Sequence, residues 1–343
     1  VNSKIRLMKN FKTIIEISFS ALFVLTAVFA LIFFNFERKA FKAETYQKVF
    51  ESQDFYNRIP TLLAETVISS SSNAEQLPLT MQGMSGQAWE DFFRTLLPPE
   101  SLKAVGDSVL NSVFSYLNQE SDSVTISLQP IKTNMGTDLG TQAVLNLLKT
   151  QPACTLEQVT QMTFSLLTSQ EIAFCNPPDE LVPLLTPVIQ IQLQTVALII
   201  PDEMTLLSAQ NTQTDPRQGI QITRILMRFS PLVPLGFLIL LTLTTASSLQ
   251  NLLKWWGLSF WATGLVSIFI GIIGAPIIGL ILNWLIRRAS SALPNIISSY
   301  AGELGSAVAG SILLPILLQG VAILLFGAGM STAWFLIRKR TMA

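Results

Sequence analysis

Four long stretches of the chain carry no charged residue: 17–36, 229–253, 255–286 and 304–337. Each holds at least about 18 apolar-dominated positions, enough to cross a hydrocarbon core of roughly 30 Å as a helix. The pattern predicts four transmembrane helices, over 13–36, 229–247, 255–286 and 311–337. Residues 287–310, rich in Ser, Ala and Gly, are expected to form an outer loop. It either lies on the surface as a short amphipathic helix or dips into the bundle.

Between the first and second runs the periodicity changes. Residues 37–228 suffice for one domain with its own core. The stretch KAFKAETYQKVFESQDFYNRI is expected to extend the first span outward as a stalk, and 70–87 is a loop by composition. From Pro98, positions Leu102, Val105, Val109, Val113, Phe114 and Leu117 recur on one helical face. Residues Val124, Ile126 and Leu128 alternate with Ser and Thr, which predicts a short strand ended by Pro130, and a helix follows over about 137–149. The stretch 182–200 is ambiguous: Ile189, Ile191 and Leu193 alternate with glutamines, yet its length and its Pro177-Pro178-Asp179 start favour a helix. A polar linker over 208–219 leads to the helical QITRILMRF.

The fold expected is thus a mainly α membrane protein with a predominantly helical, minor-β extracytoplasmic domain between the first and second spans. Charge sharpens this. Charged residues are 13% of the chain, against roughly a quarter in soluble domains. Residues 37–228 contain 20 acidic and 12 basic side chains, whereas the remainder contains 2 acidic and 10 basic. An acidic middle argues against nucleic acid as a partner. Basic residues at 1–12 (Lys4, Arg6, Lys9, Lys12) and at 338–343 (Arg338, Lys339, Arg340) predict that both flanks are cytoplasmic and residues 37–228 outside. The first run is longer than a signal-peptide core and lacks an A-x-A cleavage site, so it is expected to stay as a signal-anchor. Val1 fits a GTG initiation codon translated literally, which points to a bacterial plasma membrane.

Cys154 and Cys175 are the only cysteines. Thr155 and Gln158 form a capping-box pattern that starts a helix after Cys154. The pairing expected is a structural disulfide across this helix, which needs an oxidising compartment and so agrees with an outside position. The rival reading, a redox or metal pair, lacks C-x-x-C spacing and histidine.

Thr263, Ser267, Gly271, Ala275 and Gly279 recur every four residues in the third run. On a helix they form a strip of small side chains, and in lipid such strips let helices approach closely. The expectation is a helix-packing seam, with Gly327, Ala328 and Ser331 or the same helix of a neighbouring protomer as its partner. An ion path would show ionisable residues inside the bundle; the last three spans offer only Asn283 and Gln319 as strongly polar residues. Glu16 is expected near the headgroups. A hinge at Pro276 is a second alternative. Trp255, Trp256 and Trp284 are expected as interfacial anchors.

Candidate chemistry is sparse. The chain has no histidine, which removes His-dependent triads and His metal ligands. It has no Walker loop, dinucleotide fingerprint, H-E-x-x-H or G-x-S-x-G. Glu90-Asp91, Asp179-Glu180 and Asp202-Glu203 read as solvated or helix-start acids. No catalytic residue, cofactor or metal site is expected. The function expected is that of a structural or interaction protein in contact with membrane lipids, a subunit of a homo-oligomer or of a complex with other membrane-protein subunits. A passive channel or lipid-handling protein is the alternative, and a membrane-tethered enzyme the third reading.

Overall fold

The computed structural model describes residues 2–71, 85–161, 175–208, 216–246, 248–289 and 295–342. The chain is mostly helical, with little sheet. Five helical stretches are long and apolar enough to cross a membrane: Phe11–Ala40, Val182–Ile199, Arg217–Thr245, Leu249–Ile286 and Ser299–Arg340. The sequence and these helices together mark a helical membrane protein. The chain divides into two units. One comprises residues 1–45, 214–286 and 301–343; the other comprises 46–213 and 287–300.

The first unit is built from α1 (Asn2–Ala40), α9 (Pro216–Phe229), α10 (Leu232–Thr245), α11 (Leu249–Ala289) and most of α12 (Asn295–Met342). Helix α1 packs against α9 and α10. The predicted second span over 229–247 is essentially α10, set off from α9 by a break at Ser230 and Pro231. The Ser230 hydroxyl donates to the Met227 carbonyl at 2.7 Å, and Pro231 can donate no backbone hydrogen bond. At 14 residues, α10 alone reaches about 21 Å, short of a hydrocarbon core of roughly 30 Å. The predicted loop 287–310 is corrected: α11 continues to Ala289 and α12 begins at Asn295, leaving 290–294 outside the described residues. Its small residues serve helix packing. A Cβ built on Gly302 would lie 3.2 Å from Asn283 Cβ.

The second unit is a helical layer with one small sheet. It contains α2 (Ala43–Ser52, of which Tyr46 onward belongs here), α3 (Phe55–Ser71), α4 (Gly86–Leu96), α5 (Pro99–Leu117), β1 (Ser123–Ser127), α6 (Gln129–Gly136), α7 (Asp138–Lys149), α8 (Val182–Ile199) and β2 (Glu203–Ser208). The continuous stalk expected after the first span is absent. The chain breaks at 41–42 and again at 53–54, where Asp54 takes a left-handed φ of 54°, a conformation Asp tolerates because its short side chain bonds locally. Here the Asn57 amide donates to Asp54 Oδ1 at 2.5 Å. Ser85 caps α4 by accepting the Ala88 N–H at 3.2 Å. The predicted loops over 70–87 and 208–219 lie largely outside the described residues.

The strand β1 forms as its alternation predicts, with Val124 1% exposed. Its antiparallel partner β2 runs from Ser123↔Ser208 to Ser127↔Glu203, with an irregularity after Val124. The ambiguous stretch at 182–200 is helical through Ile199. Leu185 and Ile189 of α8 are buried against Leu148 and Cys175, and Leu193 packs on the same cluster. Cys154 and Cys175 are disulfide-bonded with Cα atoms 5.0 Å apart. The Thr155 N–H donates to Gln158 Oε1 at 2.9 Å, and the Gln158 N–H to Thr155 Oγ1 at 3.3 Å. That is the capping box read from the sequence, and helix follows over 156–161. Closing a loop of about 20 residues contributes roughly 3 kcal/mol in the chain-entropy account.

An aromatic group fastens 287–300 into this unit. The Tyr300 ring stacks on Phe55 at 6.0 Å, Arg58 lies 4.8 Å above it, and its hydroxyl donates to the Gln53 carbonyl at 3.2 Å. Nearby Tyr56 is 6% exposed. Burial first, then the charge of Asp107, pushes its phenol from 10.0 up to about 12. The folded value lies above the unfolded one, so this contribution to stability is complete below pH 10 and is lost as pH rises towards 12. Tyr56→Phe is expected to flatten the fall in urea midpoint over that window. A fall as steep as that of the parent chain would assign the alkaline sensitivity to other groups.

Candidate functional site

The small residues of α11 and α12 mesh at seven-residue intervals. A Cβ built on Gly257 would lie 2.6 Å from Ser331 Oγ; on Gly264, 2.6 Å from the Leu324 backbone nitrogen; on Gly271, 2.6 Å from Leu317 Cβ. The partners step back by seven as the glycines advance by seven, so the two helices run antiparallel. From the other side, a Cβ on Gly320 would lie 2.9 Å from Ser267 Cβ and 3.0 Å from the Ile268 nitrogen, while one on Gly327 would collide with the Trp261 nitrogen. Glycine is required at Gly264 and Gly327 because backbone, which cannot turn aside, occupies the space a side chain would need.

The strip expected from the sequence shares this contact with the heptad. Residues four apart drift about 40° round a helix, whereas residues seven apart drift about 20° the other way. Gly271 and Gly279 do meet α12, the latter at Ser306 Cβ. Ala275 is half-buried, with Gly310 as its neighbour across the pair. Ser267 meets α12 at Gly320, and Thr263 and Ser267 are 1% and 0% exposed, in line with Ser259. The Thr263 hydroxyl donates to the Ser259 carbonyl at 2.8 Å. The sequence reading named Gly327 and Ser331 as partners, but Gly257, Gly264 and Gly320 escaped it because the four-residue template hides a heptad.

A second set of contacts ties α1 to both helices. The Ser20 and Ser259 hydroxyls are hydrogen-bonded at 2.7 Å, and the Asn35 amide donates to Gln319 Oε1 at 2.7 Å. Gln319, the residue considered for a pore lining, is thus occupied by a neighbouring helix. At one end of α1, Asn251 donates to Glu16 Oε1 at 2.9 Å, and Lys12 lies 3.9 Å away. At the other end, Glu37 is held by Arg224 at 3.5 Å and Arg228 at 3.8 Å. Both carboxylates are buried, Glu16 to 4% and Glu37 to 6%. Their separation of 21 positions corresponds to about 31 Å of helix, close to the hydrocarbon thickness. Each acid therefore stands at an edge where a charge meets polar partners. The sequence signal was the charge bracketing of 17–36; that the brackets face inward was not legible.

Of the tryptophans expected as interfacial anchors, Trp284 is 56% exposed. Trp256 is half-buried, its indole N–H donating to Thr242 Oγ1 at 3.2 Å. Trp255 departs from the expectation. It is 6% exposed, because position 255 falls one turn before Ser259 on the inward face.

In the second unit, α8 presents its outer face without cover. Leu184, Ile191, Leu198 and Ile199 are 68%, 62%, 83% and 78% exposed. Residues 181–201 carry no charge and are bracketed by Asp179-Glu180 and Asp202-Glu203. Leu206 and Leu207 of β2 extend the apolar surface. Among the described residues, no three His, Cys, Asp or Glu side chains converge as metal ligands would. Comparison with protein-family models, with curated proteins and with solved structures finds no match for this chain.

Proposed function

We propose that the chain is a plasma-membrane interaction protein that crosses the bilayer four times and offers residues 46–213 outside the cell to another membrane-protein subunit. The crossings would be α1, α9 with α10, α11 and α12. Supporting this count, Glu16 with Asn251 marks one edge and Glu37 with Arg224 the other, and the chain alternates between them. The grouping of 287–300 with 46–213 agrees with one common side. The disulfide favours the oxidising side, and the basic flanking segments favour the cytoplasm for the other. In this reading α8 is the fifth apolar helix but not a crossing.

The observation that carries the proposal is the uncovered α8 face. The small-residue seam, expected to meet either the last span or a neighbouring protomer, has its contacts inside the chain, which favours α8 and β2 as the surface for assembly. Large exposed apolar patches mark interaction sites. The acidic pairs at both ends disfavour a second copy of α8 and favour a partner segment that is apolar in its centre and basic at its flanks. No reaction is assigned, and the acidic composition of residues 37–228 argues against nucleic acid as a partner.

A photo-crosslinking residue at Ile191, in the full chain in native membranes, is expected to give one adduct heavier by the mass of another protein. Leu198→Glu in the same chain should remove it. Adducts with lipid alone, or a protein adduct indifferent to Leu198→Glu, would refute the proposal.

A further inference from the structure

The two longest helices of the first unit are too long for the bilayer that α1 fits. Residues 17–36 of α1 are uncharged and measure about 30 Å, whereas the uncharged runs of α11 (255–286) and α12 (304–337) measure about 48 and 51 Å. Fitting 48 Å into a hydrocarbon core of roughly 30 Å by tilt alone would take about 50°, beyond the observed range of 0–40°. Contacts within the unit show where the excess lies. Asn35, two positions before Glu37, donates to Gln319, and a Cβ built on the adjoining Gly320 would lie 3.0 Å from the Ile268 nitrogen. The edge marked by Glu37 therefore crosses α11 near residue 270 and α12 near residue 317. At the other edge Asn251 meets Glu16, so α11 crosses within about 20 residues, as a single span should. Past the Glu37 edge it runs on without a charge to Ile286, roughly 25 Å, and α12 accompanies it.

What this extension exposes decides its occupant. On α11, Trp261, Leu265 and Phe269 are uncovered below the edge, and Ile272, Ile277, Leu280 and Trp284 are uncovered above it, every one more than 40% exposed. Over 258–285 no polar side chain of α11 is exposed. The accompanying stretch of α12 buries Ala309, Ile312 and Ile316, so the uncovered strip belongs to α11. It is one surface that begins against acyl chains and ends outside them. A protein interface carries a polar rim, which this strip lacks. A hydrocarbon chain needs none: each methylene that leaves the bilayer along the strip meets side-chain carbon in place of water.

We infer that the α11 extension is a hydrocarbon track, along which an acyl chain of a phospholipid is drawn out of the leaflet at the Glu37 edge. This gives the chain a lipid-handling activity besides the partner contact at α8. The track uses the membrane edges proposed above but not the α8 partner, so failure of that contact would leave it standing.

The full chain in vesicles of phosphatidylglycerol and phosphatidylethanolamine, carrying a benzophenone amino acid at Phe269 or at the half-exposed Ile281, tests this by intact mass. The expected result is an adduct heavier by one phospholipid at both positions. Ile277→Asp should remove the adduct at Ile281, which lies beyond the inserted charge, and keep the one at Phe269. The native cysteines are paired, so a nitroxide attached through Ile281→Cys or Phe269→Cys reports depth. Ile281 is expected beyond the headgroups and Phe269 in hydrocarbon. No lipid adduct at Ile281, or a protein adduct there, would overturn the assignment. So would a lipid adduct at Ile281 that survives Ile277→Asp, or a nitroxide at Ile281 as deep as the one at Phe269, since the bilayer would then surround the whole helix. Loss of both adducts in Ile277→Asp marks unfolding of that variant, and the parent chain's adduct and the two depths then decide.

Discussion

Gly264→Leu is expected to lower the stability of the membrane unit by about 3 kcal/mol or more, the upper part of the range for overpacking a close contact. The reason is the identity of the obstacle. A Cβ at Gly264 meets the Leu324 backbone nitrogen at 2.6 Å, so the two helices must separate; at Gly271 the nearest atom is the Leu317 Cβ, with the backbone at 3.0 Å and beyond. Gly264→Ala should therefore already be harmful, and Gly271→Ala less so. Gly236→Ala is the control: it has no atom within 4 Å and exchanges a poor helix former for the best one. Thermal unfolding in mild detergent separates these cases. Matching midpoints for Gly264→Leu and Gly236→Ala would show that α11 and α12 do not rely on close backbone approach.

Arg224→Met should cost about 3 kcal/mol, because it leaves the buried Glu37 carboxylate with only the exposed Arg228 beside it. The side chains of Glu37, Arg224 and Arg228 are 6%, 18% and 67% exposed, so Arg224 does most of the neutralising. Its guanidinium also lies 4.8 Å above the Phe41 ring. Removing one member of a buried pair is far more damaging than replacing both. Glu37→Leu with Arg224→Met is accordingly expected to recover most of the loss. A double variant as unstable as Arg224→Met alone would mean that the damage comes from lost packing rather than a stranded charge.

Features set by neighbours in sequence were legible. Thr155 and Gln158 sit one turn apart, so their capping box needs no knowledge of the fold. The disulfide was readable because only one pairing of two cysteines exists. The apolar runs announced their helices through length alone. Features set by distant partners were hidden. Strand β2 pairs with residues about 80 positions earlier, and its side chains are exposed on both faces, so it shows no alternation. Asn35 looks like one polar residue near the end of an apolar run; only the fold brings it to Gln319. Glu16 reads as a headgroup charge, since sequence shows where a carboxylate lies along a helix but not which way it faces. The candidate site divides in the same manner: the small residues were visible, but their heptad was obscured by a denser four-residue pattern.

A seam that repeats every seven residues fixes how near two helices come but leaves a sliding degeneracy. Moving α12 along α11 by one heptad, about 10 Å, would bring small residues opposite small gaps again. What distinguishes the native alignment is not the glycines but α1, which works as a ruler. Ser20 touches one helix at Ser259 and Asn35 touches the other at Gln319, so a slip would break one tie and strand an amide in hydrocarbon. Two isolated polar pairs, weak contributors to stability in membranes, thereby select one alignment from several that the apolar packing would accept.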